Sequence, residues 1–135
     1  FCAGGTSTSF TNFVGVIFPA WMPETVAVTG IKEASTYQKC TVCHTGSKID
    51  FTIMMERPSG NKIPVNSYYD GQGDYVGGSS VATATTAGIA ALVWAKNPSW
   101  TRDQVLTKMR QTSHLYPNKH PEFGYGMPNA LLAVQ

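Results

Sequence analysis

Apolar and polar positions change their rhythm several times along this chain, and each change predicts an element. Thr25-Val26-Ala27-Val28-Thr29-Gly30 is a short apolar run that reads as a buried strand stopped by glycine. From Lys48 to Met55 the apolar side chains Ile49, Phe51, Ile53 and Met55 alternate with polar neighbours, the period of two expected of a strand. The stretch from Ala82 to Lys96 holds six alanines with Ile89, Leu92, Val93 and Trp94. A helix apolar nearly all round belongs in an interior. Asn97-Pro98 ends it, and Thr101-Arg102-Asp103-Gln104 fits a capping box that opens a second helix with an apolar face of Val105, Leu106 and Met109. A last short helix is expected from Asn129 to Val134.

The connections carry their own signals. Thr6-Ser7-Thr8-Ser9 reads as a polar loop, and the two prolines in Phe18-Pro19-Ala20-Trp21-Met22-Pro23 disfavour helix. Pro58, Gly60 and Pro64 break the segment from Glu56 to Asn66, and Asp70-Gly71 between two tyrosine-bearing runs predicts a hairpin turn. The order strand, strand, hairpin, buried helix, amphipathic helix, terminal helix is the second half of an α/β architecture. The chain opens on Phe1-Cys2-Ala3-Gly4-Gly5-Thr6, which reads as the end of an apolar strand, so a longer parent protein is expected.

Composition narrows the field. The 135 residues suffice for one domain, with 42% hydrophobic and only 13% charged residues. That suits a well-buried body and hints that part of its surface is covered. The net charge of +2 is scattered, which supports neither a nucleic-acid partner nor a membrane-surface role. Neither a signal-peptide pattern nor an apolar run of bilayer length is read in these 135 residues. Three cysteines exclude a fully paired disulfide framework. Cys40-Thr41-Val42-Cys43-His44 matches the C-x-x-C-H pattern of haem attachment, with Met54 or Met55 as a candidate axial ligand. The plainer reading is a surface loop with a reducible disulfide. Zinc would need a fourth ligand, which is not evident nearby.

The chemistry concentrates at Gly77-Gly78-Ser79-Ser80-Val81-Ala82. Two glycines let the backbone turn sharply, and Ser80 then sits where the alanine-rich helix begins. Backbone N–H groups and the helix dipole there favour negative charge, as a tetrahedral acyl-transfer intermediate requires. The competing reading is a serine that merely caps the helix. The glycines from Gly71 to Gly78 lack the lysine of a P-loop and the spacing of a dinucleotide fingerprint.

Gly78-Ser79-Ser80-Val81-Ala82 through Ala87-Gly88 resembles the Gly-Thr-Ser-Met-Ala…Ala-Gly signature of the subtilisin family, with Ser80 at the nucleophile position. Cys2-Ala3-Gly4-Gly5-Thr6 resembles the Ala-Ala-Gly-Asn stretch that supplies an oxyanion-hole asparagine. Phe18 to Gly30 is similar to the family's Tyr-Pro-Ala…Val-Ile-Ala-Val-Gly run, in which Pro19 falls on a cis peptide, and Lys48-Ile49-Asp50-Phe51 stands at a Leu-Asp-Val strand. Asn97-Pro98-Ser99-Trp100-Thr101 and Phe123-Gly124-Tyr125-Gly126-Met127-Pro128-Asn129-Ala130 resemble two closing motifs.

The resemblance implies the C-terminal half of a subtilisin-like parallel-sheet α/β domain over residues 1–135, with a buried central helix starting at the nucleophile. It implies a serine peptidase acting on peptides or proteins, with no required cofactor, compatibility with structural calcium, and a secreted or extracellular setting. The triad runs Asp, His, Ser, so both partners would precede Phe1, and the chain alone would be inactive. Its partner would be that missing N-terminal part. His44, His114 and His120 match no family position and are expected at the surface. The asparagine falls on Thr6 or, with another gap, on Gly5; Thr6 is favoured because its hydroxyl can donate. Ala84 replaces the usual proline. Ala3, Gly4 and Gly5 would wall the specificity pocket, with Ile17 near its base, favouring small or medium apolar side chains. The altered oxyanion residue leaves a second reading, a catalytically dead subtilase-like scaffold or interaction module.

Overall fold

The computed structural model describes residues 1–6, 15–33, 36–57 and 78–135. The expected Asp70-Gly71 turn and most of the expected loops at Thr6 to Ser9 and Glu56 to Asn66 lie outside these residues. Among the described residues, three strands form one sheet: β1 (Cys2–Ala3), β2 (Ala27–Lys32) and β3 (Ile49–Glu56). All neighbours are parallel, in the order β1-β2-β3, with Cys2 opposite Ala27 and Ala27 opposite Ile49.

Gly30 does not end β2, as its sequence context suggested; the strand runs on to Lys32. The glycine serves close packing instead. A Cβ there would lie 2.7 Å from Cys43 Sγ and 2.8 Å from Met55 Cγ, a separation that side chains do not tolerate. In β3 the alternating set Ile49, Phe51, Ile53 and Met55 is buried as expected, yet Thr52 and Glu56 are buried too. The strand is covered on both faces, and its outer edge is occupied. Thr52 N donates to Gly126 O at 3.1 Å and Tyr125 N to Asp50 O at 2.9 Å. Gly124, at φ 61°, permits that approach, since a Cβ would run into the carbonyls of Ile49 and Asp50.

Among the described residues three helices follow: α1 (Ser79–Lys96), α2 (Arg102–Gln111) and α3 (Ala130–Val134). The α2 capping box forms as expected, with Gln104 N donating to Thr101 Oγ1 at 3.3 Å and Thr101 N to Gln104 Oε1 at 2.8 Å. Helix α1 packs on β2, β3, α2 and α3 along the stripe Ser79, Ala82, Thr86, Ala90 and Val93. Its opposite face is open in this chain, with Leu92 59% and Trp94 44% exposed. The threonines within α1 satisfy their hydroxyls on the preceding turn, Thr83 on Ser79 O, Thr85 on Val81 O and Thr86 on Ala82 O. The core between sheet and helices joins Val28, Phe51 and Met55 to Ala82, Val93, Val105 and Met109. Each large apolar side chain fully buried there contributes about 1.5–3 kcal/mol. The Phe18-Pro19 peptide is cis, as the resemblance implied, and so is Tyr116-Pro117.

Candidate active site

The site forms where the end of β1 meets the start of α1. Gly78 takes φ 88°, a conformation that favours glycine, and turns the chain into the helix as its N-cap without a side-chain capping bond. Neither serine is therefore the cap. Ser79 and Ser80 are the first two helical residues, and their environments differ. Ser79 is 1% exposed, and its Oγ lies 2.8 Å from Thr6 Oγ1. Ser80 is exposed at the surface of the first turn. A hydroxyl already bound in the interior is poorly placed to attack a substrate, whereas an exposed one at a helix N-terminus is accessible and lies beside unpaired amides.

The opposite side of the site is the segment Ala3 to Thr6. Gly4 N donates to Val28 O at 2.7 Å, and Gly4 O accepts from Ile17 N at 3.0 Å. Ile17 therefore lies against the glycine expected to wall the pocket, with its side chain 40% exposed. Gly5 is buried at φ 127°, and a Cβ on it would collide with the His44 imidazole. A side chain at position 5 would collide with His44, so a side-chain donor is accommodated at Thr6 and not at Gly5. Thr6 is exposed and reaches across 73 positions of sequence to Ser79.

Behind this segment sits the loop that joins β2 to β3. Cys40 and Cys43 are bonded to each other as a disulfide, with Cα atoms 5.1 Å apart. Neither sulfur is then available for a haem thioether or a zinc thiolate. The segment is a surface loop with a disulfide, as read from the sequence: Thr41 and Val42 are exposed, while the two cysteines themselves are fully buried. Glu56, 6% exposed, anchors the turn between them. Its carboxylate accepts from Thr41 N and Thr41 Oγ1, each at 3.0 Å, with Lys32 Nζ 3.9 Å away.

His44 also departs from its expected surface position, being 3% exposed. Its amide donates to Gly5 O at 3.0 Å, its Nδ1 donates to Gly15 O at 2.9 Å, and its carbonyl accepts from Thr29 Oγ1. Cys43 meanwhile bridges to Thr6. His114 is exposed as expected, and His120 is half-buried against Phe123, with ring centroids 5.0 Å apart. Sequence reasoning missed Ser79, Glu56 and His44 as members of the site's framework. The available signal was Glu56, a charge continuing a strand that otherwise alternates.

A sequence model of the subtilase family (Peptidase S8) matches residues 1–127. Subtilisin of Bacillus pumilus is 33% identical over 130 residues, covering 96% of this chain and 43% of the relative. Subtilisin E of Bacillus subtilis is 33% identical over 130 residues, covering 96% of this chain and 31% of the relative. Among solved structures, MycP1 from Mycobacterium smegmatis superposes with a TM-score of 0.72 at 18% identity, over 98% of this chain and 40% of that one. A lanthipeptide protease gives a TM-score of 0.67 at 20% identity, over 87% and 42% of the two chains. These structures share the fold. The chain spans less than half the length of each of these four proteins. With a family match across all but the last few residues and collinear relatives at one-third identity, the chain belongs to the subtilase family.

Proposed function

We propose that this chain is the C-terminal part of a subtilisin-like serine endopeptidase domain in which Ser80 is the nucleophile. The observation that carries the reading is the pairing of Thr6 with Ser79 at 2.8 Å, which ties the segment after β1 to the turn bearing Ser80. In this scheme Ser80 Oγ attacks the scissile carbonyl carbon, and a histidine upstream of Phe1 takes the hydroxyl proton, oriented by an upstream aspartate. The oxyanion is held by the Ser80 amide and the Thr6 hydroxyl. Collapse breaks the C–N bond, the histidine returns the proton to the leaving amine, and water then releases the acyl group from Ser80.

Ala3, Gly4 and Gly5 form one wall of the pocket for the side chain preceding the scissile bond, with Ile17 near its base. That lining favours small or medium apolar side chains. No cofactor takes part, and a structural calcium is compatible with the family. Without the upstream residues the chain is inactive, and its natural partner is that remaining part of the domain, which also covers the open face of α1. The family resemblance favours a secreted setting. No described helix is long and apolar enough to cross a membrane.

A second reading, a subtilase-like module that has lost catalysis and serves interaction, draws on Thr6 at the oxyanion position, with its hydroxyl engaged by Ser79. Intact-mass measurement after fluorophosphonate treatment separates the two. A single adduct on the parent protein and none on residues 1–135 alone supports the peptidase; no adduct on either supports the inactive module.

A further inference from the structure

The structure assigns to His44 the role of a positioning residue that clamps the two ends of the segment between Gly5 and Gly15 and so holds Thr6 against the Ser79–Ser80 turn. This rests on the peptidase reading, in which Thr6 contacts the oxyanion. Three observations converge on the imidazole and its backbone. The His44 amide donates to Gly5 O at 3.0 Å, and Nδ1 donates to Gly15 O at 2.9 Å, so one residue ties together chain positions ten apart. The ring is packed against the Cα of Gly5, where it fills the space a Cβ would need. The residue is itself fixed, since it is 3% exposed, its carbonyl accepts from the fully buried Thr29 Oγ1, and its neighbour Cys43 is locked by the disulfide to Cys40.

The consequence follows from geometry. Thr6 is the next residue after Gly5, pairs with Cys43, and reaches Ser79 through one hydroxyl–hydroxyl contact. A side chain that contributes to the oxyanion through its hydroxyl must be held to a fraction of an ångström. A backbone carbonyl cannot donate, so the Gly15 bond requires the proton to reside on Nδ1. Any replacement must therefore offer a donor at the Nδ1 position. Asparagine does so, whereas glutamine presents its amide nitrogen farther out.

The test uses the parent protein with His44→Asn, His44→Gln and His44→Leu, following fluorophosphonate labelling of Ser80, kcat and KM on a peptide substrate, and amide hydrogen exchange over residues 1–17. The expected result is that His44→Leu and His44→Gln label about ten- to a hundredfold more slowly, with kcat lowered, KM little changed, and exchange accelerated at the flanking bonded amides of Gly4 and Ile17. His44→Asn should restore labelling and protection. If all three variants lose activity alike, the ring only fills space and the assignment is overturned. If all three label and exchange like the wild type, it is overturned while the peptidase reading stands. A wild-type parent that does not label Ser80 overturns the peptidase reading and the positioning role with it. Should His44→Leu fail to fold, the contrast between Asn and Gln decides.

Discussion

Replacing Thr6 by valine removes a hydroxyl at nearly constant volume, so its two consequences can be calculated separately. Ser79 is 1% exposed and loses the partner of its Oγ. Leaving one buried hydroxyl unsatisfied costs about 1–3 kcal/mol of stability. If Thr6 also donates to the oxyanion, the transition state loses about 2.7–4 kcal/mol more, a fall of roughly 100- to 1,000-fold in kcat. The first effect appears in urea unfolding of the parent protein and the second in steady-state hydrolysis of a peptide ester. Thr6→Ser keeps the hydroxyl and should retain most of the rate, and Thr6→Asn should match or exceed the wild type. Gly5→Asn should not substitute for it, because its Cβ would collide with His44 and its φ of 127° disfavours a side chain. A kcat for Thr6→Val within about threefold of the wild type, far short of an oxyanion donor's usual share, would refute the reasoning.

Two other substitutions probe the framework behind the site. Glu56→Gln keeps the shape of a side chain that accepts from Thr41 in three contacts but removes its charge. It should lower stability by about 1–3 kcal/mol in urea melts and speed reduction of Cys40–Cys43 by dithiothreitol; an unchanged midpoint and reduction rate would remove Glu56 as the anchor. Gly124→Ala places a Cβ against the backbone carbonyls of Ile49 and Asp50 at φ 61°. Backbone cannot yield as a flexible side chain can, so a loss of about 2–4 kcal/mol is expected, and a melting temperature equal to the wild type would contradict the close approach.

Local rules made much of this architecture readable. The capping box at Thr101 and Gln104 forms because both partners lie within one helical turn, and the inward set of β3 follows from period two alone. The turn that delivers Ser80 was legible for the same reason, since glycine and helix start are adjacent in sequence. What stayed hidden depends on long-range approach. Gly30 read as a strand stop, and only the nearness of Cys43 and Met55 reveals it as a packing glycine. His44 read as a surface residue because nothing local tells that Gly5 and Gly15 fold back onto it. Whether position 5 has room for a side chain was likewise a question of space that spacing alone cannot answer. Helix α1 read as wholly interior, and its exposed Leu92 and Trp94 mark a face that this chain by itself leaves open.

The central claim is that Ser80, rather than the adjacent and buried Ser79, forms the acyl-enzyme. Rapid quenching of the parent protein with an activated peptide ester, followed by peptide-level mass mapping, tests it directly. The account predicts an acyl group on Ser80, retained in Ser79→Ala and absent from Ser80→Ala, with hydrolysis lost in the latter. Hydrolysis that survives in Ser80→Ala, or an acyl group carried by any other residue, would contradict it.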